Sequence, residues 1–134
     1  MSRRFLLTVL LLLALPSWCL AFISLEKVSV ERARELRLTV KAHAAGSDLM
    51  RIDLEFVPQG NLEHYERVDL IIDGDVQVQA TLKESKSQPD RISVGFSAKR
   101  TQIDHLMLRV MTFTNGQRTG HDLQLKDFVD VSKL

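Results

Sequence analysis

Cysteine is nearly absent: Cys19 is the only one in the chain. A single thiol cannot close an internal disulfide, which excludes the stapled small secreted scaffold, and it cannot supply a cysteine-ligated zinc site. With one Trp and one Tyr, and no Cys pair, the antibody-domain hallmark of a core Trp packed on a disulfide is missing as well. Neither charge sign dominates: 18 Lys and Arg stand against 17 Asp and Glu, interspersed along the chain. That balance gives no electrostatic case for binding nucleic acid. Internal repeats and low-complexity tracts are also lacking.

Only one long apolar run exists, and it lies at the N-terminus. Arg3 and Arg4 precede residues 5–15, which are almost wholly apolar, and Pro16, Ser17 and a small-residue stretch ending at Ala21 follow. A basic start, a short apolar core and a helix-breaking Pro are the parts of a secretory signal peptide. Ala21 and Cys19 fit the last and third-last positions before a signal-peptidase cut, so residues 1–21 are read as the signal and 22–134 as one exported domain, periplasmic or extracellular. Without Arg3 and Arg4 the basic count falls by two, to one fewer than the 17 acids, and about 113 residues remain, enough for a core held by packing alone. Two alternatives stay open. Extending the run through Trp18, Leu20, Phe22 and Ile23 approaches the length of a retained membrane anchor, and Cys19 could be acylated, although the residues before it do not resemble a lipobox.

Beyond the signal the dominant periodicity is two, the mark of strands with one buried face. In residues 34–44, Leu36, Leu38, Val40, Ala42 and Ala44 alternate with Arg37, Thr39, Lys41 and His43, and Gly46-Ser47-Asp48 supplies a turn. Ile52, Leu54 and Phe56 alternate with charged residues and stop at Pro58-Gln59-Gly60. Val68, Leu70 and Ile72 on one side of Asp73-Gly74-Asp75, and Val76, Val78, Ala80 and Leu82 on the other, read as a hairpin. A two-residue Asp-Gly turn would put the two apolar rows on opposite faces, so a three-residue loop pairing Leu70 with Val78 is expected, or else arms that part into different sheets. Ile92, Val94, Phe96 and Ala98 form another one-sided strand. Residues 106–114 are apolar on both faces, with Leu106, Leu108 and Val110 on one and Met107, Met111 and Phe113 on the other. A loop over 115–120 and a last strand carrying Leu123, Leu125, Val129 and Val131 complete the chain. With the segment 22–30, about seven short strands and no convincing amphipathic helix predict an all-β, antiparallel two-sheet sandwich of immunoglobulin or fibronectin III type, with a small barrel as the alternative.

Chemistry-bearing patterns are weak. Ser97 in Gly95-Phe96-Ser97-Ala98 lacks the second Gly of a nucleophile elbow and falls mid-strand. His43, His64, His105 and His121 share no spacing that gathers ligands, so they are read as surface or edge residues and no metal or cofactor is assigned. Asp73-Gly74-Asp75 offers too few oxygens for calcium and reads as a hairpin tip. Arg32, Arg34, Arg37 and Lys41, with Glu31 and Glu35 interleaved, read as a solvated strand face.

The leading expectation is therefore an exported non-catalytic binding or structural module with an unknown protein or cell-envelope partner, no nucleic acid, and no enzyme activity. The alternatives are a membrane-tethered accessory domain that keeps its N-terminal helix and an enzyme with a dispersed site. The nominated contact residues are Met107, Met111 and Phe113, with Leu62 and Tyr65 in an adjoining loop: covered, they are core; exposed, they form an adaptable apolar patch. The loops 58–65, 83–90 and 114–120 are the other candidates.

Overall fold

In the computed structural model of the protein, residues 23–57, 64–82 and 92–134 are described. The expected signal, the anchor segment up to Phe22, residues 58–63 of the nominated loop, Leu62 among them, and the loop 83–90 lie outside them. Eight strands form two sheets: β1 (Ser24–Lys27), β2 (Leu38–Ala44), β3 (Leu49–Phe56), β4 (His64–Ile72), β5 (Asp75–Thr81), β6 (Ile92–Lys99), β7 (Leu106–Thr114) and β8 (Gln117–Gln124). One sheet runs β1-β8-β7-β4-β5 and the other β2-β3-β6. The all-β reading holds, with one strand more than expected. Its antiparallel rule is broken once, where β1 pairs parallel to β8, and Val28 N extends that ladder by donating to Asp122 O (2.8 Å).

Both sheets turn one face to a shared core. From β3, Met50, Ile52, Leu54 and Phe56 are fully buried, and they meet Leu38, Val94 and Phe96 of their own sheet and Val68, Leu70, Leu108, Val110 and Leu123 of the other. Each such side chain contributes about 1.5–3 kcal/mol on burial. Tyr65, expected in a loop, sits in β4 with its ring against Phe56, centroids 4.4 Å apart.

The hairpin expectation is met by a different device. Asp73 (φ 51°) and Gly74 (φ 83°) both take the left-handed conformation, which makes the two-residue turn that Asp-Gly favours. Ile72 pairs with Asp75, and a bulge at Gln77 then restores Leu70 opposite Val78. One extra residue cancels the face reversal that the tight turn would impose. Asn115 (φ 51°) and Gly116 (φ 78°) make the same turn between β7 and β8, so the expected loop over 115–120 is a two-residue connection.

Two segments expected as strand are partly helical. The helix α1 (Val30–Glu35) starts at Ser29, whose hydroxyl accepts from Arg32 N, and it ends before Arg37, which adopts φ 57°. Ala33 within it and Leu36 at its C-cap, three apart, are buried. Arg32 and Arg34 thus lie on a helix rather than on a strand face. After β8, α2 (Leu125–Phe128) replaces the expected last strand. Leu125 is buried, and Phe128 and Val129 pack against the core; positions 125, 128 and 129 follow helical spacing and not period two. A 3₁₀ helix, Arg100–His105, carries the chain from β6 to β7 and buries Ile103.

Candidate functional site

The strand singled out for its two apolar faces, β7, is the middle of the five-stranded sheet. Leu106, Leu108 and Val110 face the core, and Met107, Met111 and Phe113 lie on the outer face. Coverage of that face is graded along the strand. Met111 is 1% exposed, Met107 is half-buried and Phe113 is 38% exposed. Tyr65 is not part of this group, because it points into the core from the opposite side of the sheet.

Short-range structure explains why Met111 is hidden. On the outer face, register aligns Leu25 of β1 with Gly120 of β8, and Gly120 with Met111. A Cβ on Gly120 would lie 2.8 Å from Leu25 Cδ2, 3.2 Å from Arg109 Cδ and 3.3 Å from Met111 Sδ. The missing side chain is the seat for Leu25, which nonetheless remains 57% exposed. Phe113 lies opposite Arg118, whose guanidinium carbon stands 5.5 Å from the ring centroid, a cation–π distance. Ile23, 48% exposed, immediately precedes β1. Exposed apolar groups and an arginine thus share the β7–β8 hairpin end of this face.

Next to it runs a row of charge. Asp69, Arg109, Asp122 and Lys27 occupy successive strands in direct register. Arg109 grips Asp122 through two bonds, Nε donating at 2.7 Å and Nη2 at 3.1 Å; this pairing raises the guanidinium pKa against the opposing effect of burial. Asp69 is 2% exposed and accepts from Arg67 Nε at 3.1 Å. These are static pairs with no hydroxyl or thiol nucleophile among them.

A second arrangement, not legible in the sequence, lies where β1 meets β8. Arg32 Nε donates to Glu26 Oε1 (2.7 Å), Glu26 Oε2 lies 2.9 Å from His121 Nδ1, and His121 Nε2 lies 3.0 Å from Thr112 Oγ1. The order hydroxyl, imidazole, carboxylate matches that of an activated-nucleophile triad. Access does not match, since Thr112 is 3% exposed and its hydroxyl also meets Thr119 O at 3.5 Å. A neutral imidazole can accept from that hydroxyl, and a charged one can donate to it while the hydroxyl turns to Thr119 O, so the chain of bonds is satisfied either way. Burial opposes ionisation of Glu26, but the hydrogen bonds from Arg32 and His121 outweigh it and hold the carboxyl below its ordinary value. The cluster works as a latch that fastens β1 and α1 to the sheet. His121, expected at the surface or an edge, is buried because Glu26 and Thr112 satisfy both its nitrogens.

His105 is far from such a role, paired with exposed Asp73 at 3.1 Å, and His43 Nε2 lies 2.8 Å from Asp53 Oδ2. Among the described residues no three His, Cys, Asp or Glu side chains converge as metal ligands, and no helix is long and apolar enough to cross a membrane. An open groove of about 330 Å³ between β2 and the C-terminal residues is lined by Val40, Ala42, Phe128 and Val129 with Lys41, Asp130 and Lys133. His43, whose ring is paired with Asp53, also lines it. Comparison with protein-family models and with curated proteins finds no match in either.

Proposed function

We propose that this chain is an exported, non-catalytic binding module that engages another protein or a cell-envelope component through the outer face of its five-stranded sheet. The observation that carries this reading is the cluster of Ile23, Leu25 and Phe113, large apolar side chains left exposed at one end of that face beside Arg118. Aromatic and arginine side chains are enriched at recognition surfaces, and clustered exposed apolar groups mark contact sites. The N-terminal run supports export.

The finer fold assignment, a fibronectin III or immunoglobulin type sandwich, is part of the same proposal. With β1 set aside, β2-β3-β6 and β5-β4-β7-β8 follow the order A-B-E and C′-C-F-G, which supports that topology. Such scaffolds host many functions, so the reading rests on the face and not on the fold.

The test is crosslinking in the cells that make the protein, comparing wild type with an Ile23→Ser/Phe113→Ala variant of unchanged melting temperature, which leaves Leu25 over Gly120. Crosslinks lost in the variant support the face; identical crosslinks from both chains reject it. The N-terminal peptide read in the same run separates an exported domain beginning at Phe22 from a tethered one that retains residues 1–21.

A further inference from the structure

We propose that the outer edge of β6 is a self-association edge, which pairs antiparallel with β6 of a second copy and joins two three-stranded sheets into one of six. This inference is independent of the Leu25–Phe113 face, which lies on the other sheet.

A free sheet edge exposes unpaired backbone N–H and C=O groups, and proteins guard such edges with brevity, bulges, or charge, lysine above all. Three of the four edges here carry such a guard. β1 is only four residues long and includes Glu26 and Lys27. β5 is kinked by the bulge at Gln77. β2 carries Lys41 and His43. Antiparallel pairing of β2 with its own copy would set Lys41 against itself or against His43, or His43 against Arg37, depending on the register, and like charges directly opposite are destabilising.

The edge of β6 is guarded only at its last residue, Lys99. Ile92–Lys99 pairs with β3 over eight successive residues without a register shift, and Ile92, Ser93, Val94, Gly95, Phe96, Ser97 and Ala98 contain no charge and no proline. Among the described residues, no strand pairs with its other side. On the neighbouring strand Arg51 lies over Gly95, where a Cβ would collide with its guanidinium. Arg51 Nε donates to Asp53 Oδ1 at 3.2 Å, so that charge is held on the face as an ion pair.

The edge is also complementary to itself. A two-fold axis at Phe96 sets Phe96 opposite Phe96 and Val94 opposite Ala98 on the core side, and Gly95 opposite Ser97 and Ser93 opposite Lys99 on the solvent side. Between Val94 and Ala98 the apolar row continues apolar and the small polar row continues small; Lys99 and Arg100 fall opposite the uncharged Ser93 and Ile92, so no like charges meet.

The test uses the chain as recovered from the cells that export it. Sedimentation over about a hundredfold concentration series, where mass action makes a dimer visible, is expected to show a concentration-dependent dimer. Ser93→Lys/Ser97→Lys adds charge at two exposed positions, one of them facing Lys99 of the other copy; it is expected to weaken dimerisation at least about tenfold and leave the melting temperature of the dilute protein unchanged. Ile23→Ser/Phe113→Ala should leave the dimer intact. Ser93→Cys/Lys99→Cys reads the register, because opposed positions stand about 5 Å apart at Cβ and should oxidise to a covalent dimer. A monomer throughout the series overturns the proposal, as does a dimer that survives the lysines and forms no disulfide in the double-cysteine variant.

Discussion

Glu26 of β1 and His121 of β8 face each other across the parallel β1–β8 pair, with Oε2 2.9 Å from Nδ1. The contact joins residues 95 positions apart and ties a four-residue strand to the body of the sheet. Because the Glu26 carboxyl is held below its ordinary value near 4.5, the unfolded chain binds a proton that the folded one does not, over the interval between the two values. Stability from this site is therefore present above about pH 4.5 and lost as pH falls through the folded value. Melting temperature followed from neutral to acidic pH should decline over that interval, and Glu26→Gln should lower the neutral-pH value and flatten the acidic decline. An unchanged acid slope in the variant would remove Glu26 from the account.

Asp69 poses a sharper test of the charge row. It is nearly inaccessible yet lies on the outer face, bonded to Arg67 and directly opposite Arg109. Replacing it with alanine removes the acceptor for Arg67 Nε, while Arg109 keeps Asp122. Hydrogen bonds to charged groups typically contribute about 1.5–3 kcal/mol, so Asp69→Ala should cost about 2 kcal/mol in denaturant unfolding. Asp69→Asn retains an acceptor oxygen and should cost less.

The strands are legible where one face is buried and the local pattern is regular. Ile52, Leu54 and Phe56 announce β3 by alternation, and Asp73-Gly74 announces its turn by chemistry. The bulge at Gln77 is not legible, because alternation cannot show which residue a partner strand skips. Helix α1 carries a signal that alternation in 36–44 obscures: Ser29 before a run of good helix formers is an N-cap pattern. The latch is invisible for a different reason. Glu26, His121 and Thr112 become neighbours only through sheet order, and nothing local to any of them predicts it. For Met107, Met111 and Phe113 the shared outer face is readable and the grading along the strand is not, since coverage depends on Leu25 settling over Gly120.

The cap at Ser29 gives a local prediction. Its hydroxyl accepts from Arg32 N at 3.1 Å, and the six-residue helix it starts is too short to persist without packing. Ser29→Ala should lower stability by about 1 kcal/mol, whereas Ser29→Asp keeps the acceptor, places a negative charge at the helix start and should match wild type or exceed it. Equal losses for both substitutions would mean that the cap is not what holds this turn.

Gly120 and Leu25 test whether the outer face is assembled as described. Adding a methyl group at 120 presses on Leu25 Cδ2, the movable end of a side chain already more than half exposed, while Arg109 Cδ and Met111 Sδ must yield by a few tenths of an ångström. Overpacking of this kind costs about 1–3 kcal/mol, and the low end is expected here because Leu25 can swing into solvent. In doing so it would uncover Met111 and enlarge the apolar patch. Gly120→Ala should therefore destabilise by about 1 kcal/mol and increase binding of a hydrophobic dye. In the Leu25→Ala background the same substitution should cost much less, giving a coupling energy of about 0.5 kcal/mol or more. Additive effects in that double-mutant cycle would show that Leu25 does not sit over Gly120, and the cover on Met111 would then have to come from Arg109 and from Arg67, its register partner on β4.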